Sequence, residues 1–307
     1  MGLGGALIWS AVFRNLAFKH PDKKIVVRYK TSILNIFKEP GDFIVYRQNP
    51  RVHLIANNYL WPFQRLRLRS GDFLLVDFQD PSLWYWGKDT PEKLIYKMDK
   101  LHAIEYATKH FGIEKADLHP EIYLSKEEKD RAVQRLKEYD LYNNRYICFE
   151  PNTKGTFSSN KAWAKDRWPE LIKRLQDYNA INGMGFKFIQ IGSLGGIKID
   201  GLIDMRGVCT FREAAEILRR SSFLVSYAGG LVHLAAAVDT PAVVLISAWE
   251  PKETLAYPNN INLYTDLDCA ICGLKTPCPR GCLCMDRITV DMVFDACSAV
   301  MDKTAGQ

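Results

Sequence analysis

Hydrophobic residues in the first third of this chain form short runs that alternate with longer amphipathic stretches. The short runs predict strands, and the stretches with helical spacing predict helices. The predicted strands cover residues 24–29, 42–47, 52–56 and 73–78, and the predicted helices cover 7–19 and 92–111. This mixture of strands and helices predicts an α/β unit.

A second series begins after a charged helix predicted over residues 125–139, which starts with the Ser-x-x-Glu capping pattern of Ser125 and Glu128. Strands alternating with helices at close spacing form a parallel sheet covered on both faces. These elements are predicted over 146–150, 168–178, 187–191, 211–220, 223–225 and 242–247, with a helical tail over 289–302. We predict two Rossmann-like domains, residues 1–140 and 141–288, and a C-terminal helix and tail at 289–307.

The apolar run at 223–225 leads into a glycine pair and the start of an alanine-rich helix, with the sequence Ser226-Tyr227-Ala228-Gly229-Gly230-Leu231-Val232-His233. Glycines let the backbone approach a ligand, and the first N–H groups of a helix carry partial positive charge. His233 adds a polar side chain at the same place. The segment indicates a site for a nucleotide or another phosphorylated ligand.

A polar loop over residues 151–163 follows the first strand of the second series, at the sheet edge where open α/β folds bind ligands. Thr153, Lys154 and Lys161 are suited to a diphosphate, because they supply positive charge and hydrogen-bond donors. Trp163 either packs in the core or contacts a base or sugar. Glu250, after the strand at 242–247, is a candidate for binding a ribose or a sugar. The alternative is a solvated surface loop.

Composition and charge narrow the class of partner. The chain has 307 residues, of which 47% are hydrophobic and 25% charged, as in folded globular proteins. A formal net charge of +6, spread along the chain, suits an anionic ligand or membrane surface without indicating nucleic acid. No apolar run approaches the roughly 18 residues of a membrane span. The N-terminus lacks a secretory signal pattern, so we expect a cytoplasmic protein.

Several segments, taken in order, resemble the motifs of glycosyltransferase family 9, the heptosyltransferase-like family of lipopolysaccharide core assembly. Their order along the chain carries the resemblance, which covers nearly the whole sequence and is strongest over 147–247. The segments are Gly2-Leu3-Gly4-Gly5 with the helix after it, Asn160-Lys161-Ala162-Trp163, Met205-Arg206-Gly207 with Phe211-Arg212-Glu213-Ala214-Ala215, residues 226–235, and the cysteine-bearing stretch 269–288.

The resemblance implies a GT-B architecture, an α/β fold whose two Rossmann-like domains face each other across a cleft. It implies an inverting transfer of a heptose or hexose from a nucleotide-sugar to a lipid-linked or oligosaccharide acceptor of the bacterial surface. No catalytic metal or other cofactor is implied, and the enzyme would be cytoplasmic or peripheral on the cytoplasmic face of the inner membrane. The implied roles are catalytic for Lys161 and His233, donor-binding for Thr153, Lys154, Trp163, Gly229, Gly230, Leu231 and Glu250, and acceptor-side for Gly4 and Gly5.

Two departures from the family pattern bear on catalysis. Family members usually carry an acidic residue just after the first Gly-x-Gly, placed to deprotonate the acceptor hydroxyl. That position is Gly5 here, and the second acidic position, before the glycine pair, is Ala228. The strand that should precede the first glycines is also missing from the sequence. Asp77 and Asp80, at the end of the strand predicted over 73–78, are substitute candidates for the base.

The alternating segment Arg65-Leu66-Arg67-Leu68-Arg69 predicts a strand with three arginines on one face. Arg65 and Arg67 would then hold phosphates of a lipid-linked acceptor or help dock on an anionic leaflet. The equally weighted alternative is an exposed edge strand protected from aggregation by charge. Trp84-Tyr85-Trp86 is a candidate for stacking on sugars or for packing between elements.

Five of the eight cysteines lie close together, which is typical of a structural zinc loop. They are Cys269, Cys272, Cys278, Cys282 and Cys284. Their spacing is irregular for a zinc ribbon, so reduced thiols or occasional disulfides are the alternative.

Three functions remain open on the sequence. The first is the inverting glycosyltransferase. The second is a sugar-nucleotide epimerase or hydrolase on the same architecture, which would need a set of acidic residues around the cleft. The third is a catalytically degenerate GT-B protein that binds nucleotide-sugar or glycan without turnover, as Gly5, Ala228 and the missing strand suggest.

Overall fold

The computed structural model describes residues 2–38, 40–80, 83, 100–152, 158–274 and 276–306. The chain forms two compact units, Met1–Tyr123 and Leu124–Gln307. The sequence-based limits at 140 and 288 stay a prediction.

The first unit contains a three-stranded parallel sheet of order β2-β1-β3. Its elements are α1 (Leu3–Lys19), β1 (Lys24–Tyr29), single 3-10 turns at Ile33–Asn35 and Phe43–Tyr46, β2 (Val52–Asn57), α2 (Trp61–Arg65), β3 (Phe73–Asp77) and α3 (Ala103–Lys109). Helix α1 is buried along most of its length, so it is the centre of this unit rather than a surface helix. The strands predicted at 24–29, 52–56 and 73–78 are thus confirmed to within a residue.

Helix α1 begins four residues earlier than predicted. Gly2 caps it, and Gly4 and Gly5 lie inside its first turns instead of forming an open loop. The N–H of Ala6 donates to the carbonyl of Gly2 at 3.0 Å, which is a helical bond. Gly4 and Gly5 therefore have helical backbone, and the first turns of α1 carry few side chains.

The strand predicted over 42–47 is wrong. The segment is a 3-10 turn in which the N–H of Phe43 donates to the carbonyl of Pro40 at 2.9 Å. Phe43, Val45 and Tyr46 are buried, with the ring centroid of Tyr46 5.1 Å from that of Phe13 on α1. Packing against α1 therefore imposes a compact turn on a segment whose composition favours a strand.

The strand predicted over 65–69 is also wrong. Arg65 ends α2, and the next residues continue as a turn in which the N–H of Leu68 donates to the carbonyl of Arg65 at 2.9 Å. Pro62 in the first turn favours the helical start. Because the segment is not extended, the arginines do not share one face of a strand. Of the helix predicted over 92–111, residues 92–99 lie outside the described residues, and 103–109 are helical.

The second unit is a six-stranded parallel sheet of order β6-β5-β4-β7-β8-β9. Its elements are α4 (Lys126–Glu138), β4 (Tyr146–Glu150), a 3-10 turn at Ser159–Lys161, α5 (Arg167–Ile181), β5 (Lys187–Gln190), β6 (Ile203–Asp204), α6 (Phe211–Arg220), β7 (Phe223–Tyr227), α7 (Gly230–Ala236), β8 (Ala242–Leu245), a 3-10 turn at Lys252–Thr254, β9 (Ile261–Leu263), α8 (Leu283–Asp286) and α9 (Val290–Ala305). The predicted alternation is confirmed, and the short edge strands β6 and β9 are additional.

Helices α4 and α6 are joined by their capping residues. Ser125 and Glu128 form the predicted capping box of α4, and Thr210 and Glu213 form the corresponding one of α6. Each capping glutamate also binds an arginine of the other helix. Arg212 reaches Glu128 through two hydrogen bonds of 2.6 and 2.8 Å, and Arg131 reaches Glu213 at 2.5 Å. This exchange ties α4 to the second unit.

Candidate functional site

Three loops leave the second sheet at the carboxyl ends of its adjacent central strands. The first follows β4 and holds Lys161, the second follows β7 and holds Gly229 and Gly230, and the third follows β8 and holds Glu250. Since the strands are parallel neighbours, the three loops emerge at one edge of the sheet. Lys161, the glycine pair and Glu250 therefore lie at the same edge of the sheet.

Lys161 and Glu250 form an ion pair that water scarcely reaches. The Lys161 Nζ contacts Glu250 Oε1, and their side chains are only 11% and 3% exposed. The ammonium also lies 4.5 Å from the centre of the Trp249 ring, a cation–π arrangement. A solvated surface lysine is thus excluded for Lys161.

The second carboxylate oxygen of Glu250, Oε2, is buried and has no hydrogen-bond partner among the described residues. Leaving a buried charged oxygen unpaired costs free energy, because it has lost its water without compensation. A ligand hydroxyl placed here would supply the missing donor. Glu250 is therefore suited to a sugar or ribose hydroxyl, as the sequence suggested.

His233 is buried beside this pair. Its Nδ1 lies 2.7 Å from the hydroxyl of Tyr257, and the two rings are in edge-to-face contact. Burial, and secondarily the positive charge of Lys161, lowers the pKa of His233 to about 4. The imidazole is thus neutral at pH 7 and acts through hydrogen bonds rather than as a cation.

The glycine pair leaves the start of α7 uncovered. Gly229 has extended backbone, and a Cβ there would meet only the carbonyl of Tyr227 at 3.8 Å. The first N–H groups of a helix have no carbonyl partner within that helix. A ligand can therefore approach the N–H groups of Gly230 and Leu231, because position 229 has no side chain to block it and its backbone is not strained.

Trp163 is a packing residue. Its indole N–H donates to the carbonyl of Ile288 at 2.7 Å, its backbone N–H donates to the hydroxyl of Tyr227 at 3.0 Å, and it packs edge-on against Trp168. The side chain is 2% exposed. Of the two alternatives, the structure supports core packing, which fixes the loop immediately after Lys161.

Asn160 is a site residue that the sequence did not single out by role. Its side-chain amide donates to the carbonyls of Leu274 and Thr276 at 3.1 and 2.8 Å and accepts from the N–H of Cys278 at 3.1 Å. The indole of Trp249 also donates to the carbonyl of Leu274, at 2.7 Å. The cysteine-bearing loop therefore braces both the turn that carries Lys161 and the ring over which Lys161 lies.

The cysteines of this loop are free thiols. Cys278 and Cys282 hydrogen-bond each other, and backbone N–H groups of Cys282 and Arg280 lower the pKa of the Cys278 thiol. Across the described ranges, no three His, Cys, Asp or Glu side chains are arranged to hold a metal ion. The arrangement of the described cysteines therefore does not fit the predicted zinc site.

Glu150 is a second site residue that sequence reasoning missed. It ends β4, and burial raises its pKa to about 7, while the N–H of Asn152 at 2.9 Å opposes the rise. Gly192 has a φ of +118°, and a Cβ there would collide with the Glu150 carboxylate. An acidic residue at the end of an otherwise apolar strand was the available signal.

The acceptor-side candidates lie in the first unit. Gly4 and Gly5 are in α1, Arg65 ends α2, and Arg67 is in the turn after it. Asp77 is paired with Arg28. Burial raises the pKa of Asp77, but the Arg28 hydrogen bond and the Gln79 N–H outweigh it and lower the pKa overall, so this carboxylate is a weak base. Thr153, Lys154 and the aromatic segment 84–86 lie outside the described residues.

Comparison with known proteins identifies the family to which this arrangement belongs. The model of glycosyltransferase family 9 (heptosyltransferase) matches residues 96–185 and 197–282, more than half of the chain. The chain belongs to glycosyltransferase family 9. A search of curated protein sequences finds no significant match.

Solved structures of glycosyltransferases share the fold. A family 9 glycosyltransferase from Veillonella parvula superposes with a TM-score of 0.67 at 11% identity, covering 99% of this chain and 95% of that one. ADP-heptose lipopolysaccharide heptosyltransferase II of E. coli gives 0.64 at 14% identity, covering 99% and 97%. The iron-containing dodecameric glycosyltransferase TibC of E. coli gives 0.62 at 15% identity, covering 92% and 77%. The expected α/β fold with parallel sheets, as in GT-B enzymes of this family, is confirmed.

At the two positions where family 9 usually has an acid, the structure places no carboxylate. Gly5 lies within α1, and Ala228 lies between β7 and the glycine pair, where its N–H donates to the carbonyl of Leu245 at 3.3 Å. None of the helices in the described ranges combines the length and hydrophobicity needed to cross a bilayer.

Proposed function

We propose that this protein is an inverting glycosyltransferase that moves a heptose or hexose from a nucleoside-diphosphate sugar to a lipopolysaccharide-type acceptor. The observation that carries the proposal is the buried Lys161–Glu250 pair beside neutral His233 and the glycine pair at one sheet edge. The family supports a sugar-nucleotide donor. ADP-heptose is bound by TibC and ADP by the E. coli heptosyltransferase WaaC, which makes an ADP-sugar the first donor to test.

The proposed chemistry places the residues around the departing nucleotide. The bond between the anomeric carbon and the β-phosphate oxygen breaks, and its electron pair stays on the diphosphate. Lys161 and the N–H groups of Gly230 and Leu231 stabilise this charge, and His233 contributes a hydrogen bond. The Oε2 atom of Glu250 accepts from a donor hydroxyl. The positive charge that leaving-group departure needs is thus supplied by the chain, so the proposed reaction needs no metal.

The acceptor oxygen attacks the face opposite the departing group, which inverts the anomeric centre. The acceptor binds on the first unit, to which Gly4, Gly5, Arg65 and Arg67 belong. Its hydroxyl proton passes to a base that neither Gly5 nor Ala228 supplies. General base catalysis typically contributes on the order of 10²–10⁴ in rate, so we expect slow but measurable transfer. The reaction is proposed to take place on the cytoplasmic side of the inner membrane.

Nucleotide binding tests the donor site. Melting temperatures are measured with ADP-, GDP-, UDP- and CMP-sugars for the wild type and for the double variant Lys161→Met, Glu250→Gln. The double change removes both charges, because removing only the lysine would leave a buried carboxylate unpaired. We expect one nucleotide class to raise the wild-type melting temperature and to have little effect on the double variant.

Lys165→Met is the matched control, because Lys165 is exposed four residues further on. It should respond to nucleotide as the wild type does. If no nucleotide raises the melting temperature of the wild type, the donor site is wrong.

A second candidate function, binding without turnover, is favoured by the absence of an acid at positions 5 and 228. Incubation of the binding nucleotide-sugar with an oligosaccharide acceptor distinguishes the two. A product with inverted anomeric configuration supports transfer, and tight binding with neither transfer nor donor hydrolysis supports the degenerate protein.

A further inference from the structure

Two loops at one edge of the first sheet expose an unusual set of side chains. The loop after β1 covers residues 30–38 and the loop after β2 covers 58–69. Together they present large apolar side chains, with exposed fractions of 66% for Ile33, 92% for Leu34, 93% for Phe37, 71% for Phe63 and 84% for Leu66. Single exposed apolar residues are ordinary, but five within two short loops indicate a contact surface.

Hydrogen bonds hold the two loops together at their bases, so the surface has a defined conformation. Strands β1 and β2 are parallel neighbours, with Tyr29 opposite Asn57. The buried Asn57 amide donates to the carbonyl of Ile36 at 2.7 Å, and the Asn58 side chain accepts from the N–H of Thr31 at 2.8 Å. The first loop is therefore bonded to the end of β2, and the two loops are bonded to each other.

Packing inside the second loop forces its other side chains outward. Trp61 is buried against Val26 and Ala56, with Leu68 packed alongside. A helical turn that directs Trp61 and Leu68 to the sheet directs residues between them, such as Phe63 and Leu66, away from it. The exposure of these two side chains thus follows from the anchoring of Trp61.

The charge of the two loops is of one sign. Residues 30–38 and 58–69 contain no aspartate or glutamate, and the first acidic residue after the first loop is Glu39. Their basic residues are Lys30, Lys38, Arg65, Arg67 and Arg69. The five basic side chains are exposed, and no described carboxylate forms an ion pair with them. Basic residues interspersed with aromatic and aliphatic ones characterise surfaces that sit in the headgroup region of an anionic bilayer.

We propose that these two loops form a membrane-docking surface whose partner is an anionic phospholipid bilayer. Ile33, Leu34, Phe37, Phe63 and Leu66 enter the headgroup boundary, and the lysines and arginines contact lipid phosphates. A protein partner is the less favoured occupant, because fully basic loops without acidic residues match a uniformly anionic surface. The surface would bring the acceptor-side unit to a lipid-linked acceptor, and to that extent it rests on the proposed function.

Vesicle binding tests the surface without donor, acceptor or turnover. The full chain is sedimented with phosphatidylcholine vesicles that contain or lack phosphatidylglycerol. We expect binding to the anionic vesicles only, and weaker binding at 0.5 M salt (~4 Å screening length). The variant Arg65→Glu, Arg67→Glu, Arg69→Glu should bind at least on the order of 100-fold less, since each basic residue contributes about fivefold.

The matched control places the same charge change on the second unit. Lys126→Glu, Lys129→Glu, Lys165→Glu alters three exposed lysines and should bind as the wild type does. A separate variant, Leu34→Ser, Phe37→Ser, Phe63→Ser, should lose binding with its charge unchanged. All of these residues are exposed, and unchanged melting temperatures verify the fold.

The proposal is overturned if the wild type does not bind anionic vesicles, or if the lysine control loses binding as much as the arginine variant does. It is also overturned if the chain dimerises through Phe37 and Phe63 and does not bind vesicles, because the surface then binds a second copy of the chain. Transfer to a soluble oligosaccharide acceptor is measured in parallel. A wild type that transfers sugar but does not bind anionic vesicles contradicts the docking surface alone, and a wild type that binds these vesicles but does not transfer sugar contradicts the proposed function alone.

Discussion

At the scale of single residues, burial decides what Lys161, Glu250 and His233 can do. Lys161 is kept from water but retains a counter-charge in Glu250, and His233 is held neutral by the same environment. A diphosphate entering this place meets one fixed cation and a hydrogen-bonding ring. Lys161 must then interact with both Glu250 and the ligand. The affinity for a nucleotide therefore depends on whether Glu250 remains paired with Lys161.

The lowered pKa of His233 predicts a pH dependence of stability. The folded pKa is about 4, against a usual value of 6.5, so the folded state binds fewer protons between these pH values. The stabilisation is fully present above pH 6.5 and is lost as the pH falls towards 4. We expect the free energy of unfolding to fall by about 3 kcal/mol more in the wild type than in His233→Gln over this range.

Denaturant titrations between pH 4 and 7.5 measure this difference. Comparing the two proteins matters because Glu150, whose raised pKa has the opposite sign of effect, contributes equally to both. Parallel curves for the wild type and His233→Gln would show that the imidazole is not buried as described.

At the scale of elements, the brace formed by Asn160 connects the cysteine loop to the donor side. Asn160→Ala removes two bonds to carbonyls and one from an N–H. We expect the unfolding free energy to fall by about 1–3 kcal/mol and nucleotide affinity to fall about tenfold, because the turn carrying Lys161 loses its support. Nucleotide titration calorimetry and amide hydrogen exchange of residues 272–284 measure both effects.

Asn144→Ala is the control, because Asn144 also donates from its side chain to a carbonyl, that of Asp140, but on an exposed turn. Faster exchange in the cysteine loop of Asn160→Ala with unchanged affinity would show that the loop does not position Lys161.

Elements with strong local signals were predictable from the sequence. Strand β4 and helix α6 match their predicted limits, because the strand is an apolar run that ends at Glu150 and the helix begins with a capping box. The segment around Phe43 and the segment Arg65–Arg69 were mispredicted because tertiary packing of Phe43 and Trp61 overrides an alternating pattern. Alternation alone does not distinguish a strand from a turn whose inner residues happen to be apolar.

The sequence predicted the candidate functional residues of the site, but not the residues that hold them in place. Lys161, His233 and Glu250 lie in segments that follow predicted strands, and the glycine pair precedes His233, so the sequence indicates them. The bonds from Asn160 join residues more than 110 positions apart, as do the contacts of Trp163 with Ile288. Nothing in a local pattern reports such pairings. The buried environment of Glu150 likewise depends on Gly192, which lies in the loop after β5.

At the scale of the whole molecule, both units lack the acid that family 9 usually supplies. Gly5→Asp or Ala228→Asp should raise kcat at least tenfold if the protein is a slow transferase, because a placed base lowers the barrier to acceptor deprotonation. Gly5 has helical backbone in the first turns of α1, where an acidic side chain is favourable. Steady-state transfer kinetics with the nucleotide-sugar that binds measure the change.

Gly2→Asp is the control, because it adds an acid at the same helix end but at the cap rather than at the family position. Equal rates for all of these variants and the wild type would place the base elsewhere or support the non-catalytic protein.

The ion pairs that the capping glutamates form between α4 and α6 limit where the chain can be divided for expression. Glu128 and Glu213 each serve two helices at once, so the second unit is complete only when its expressed segment starts ahead of Ser125. A fragment that begins beyond α4 would remove the Glu128 carboxylate from Arg212, whose side chain is 3% exposed. Breaking a buried ion pair by removing one partner typically costs about 3–5 kcal/mol. The helix that looks like a linker in the sequence is therefore an inseparable part of the second unit.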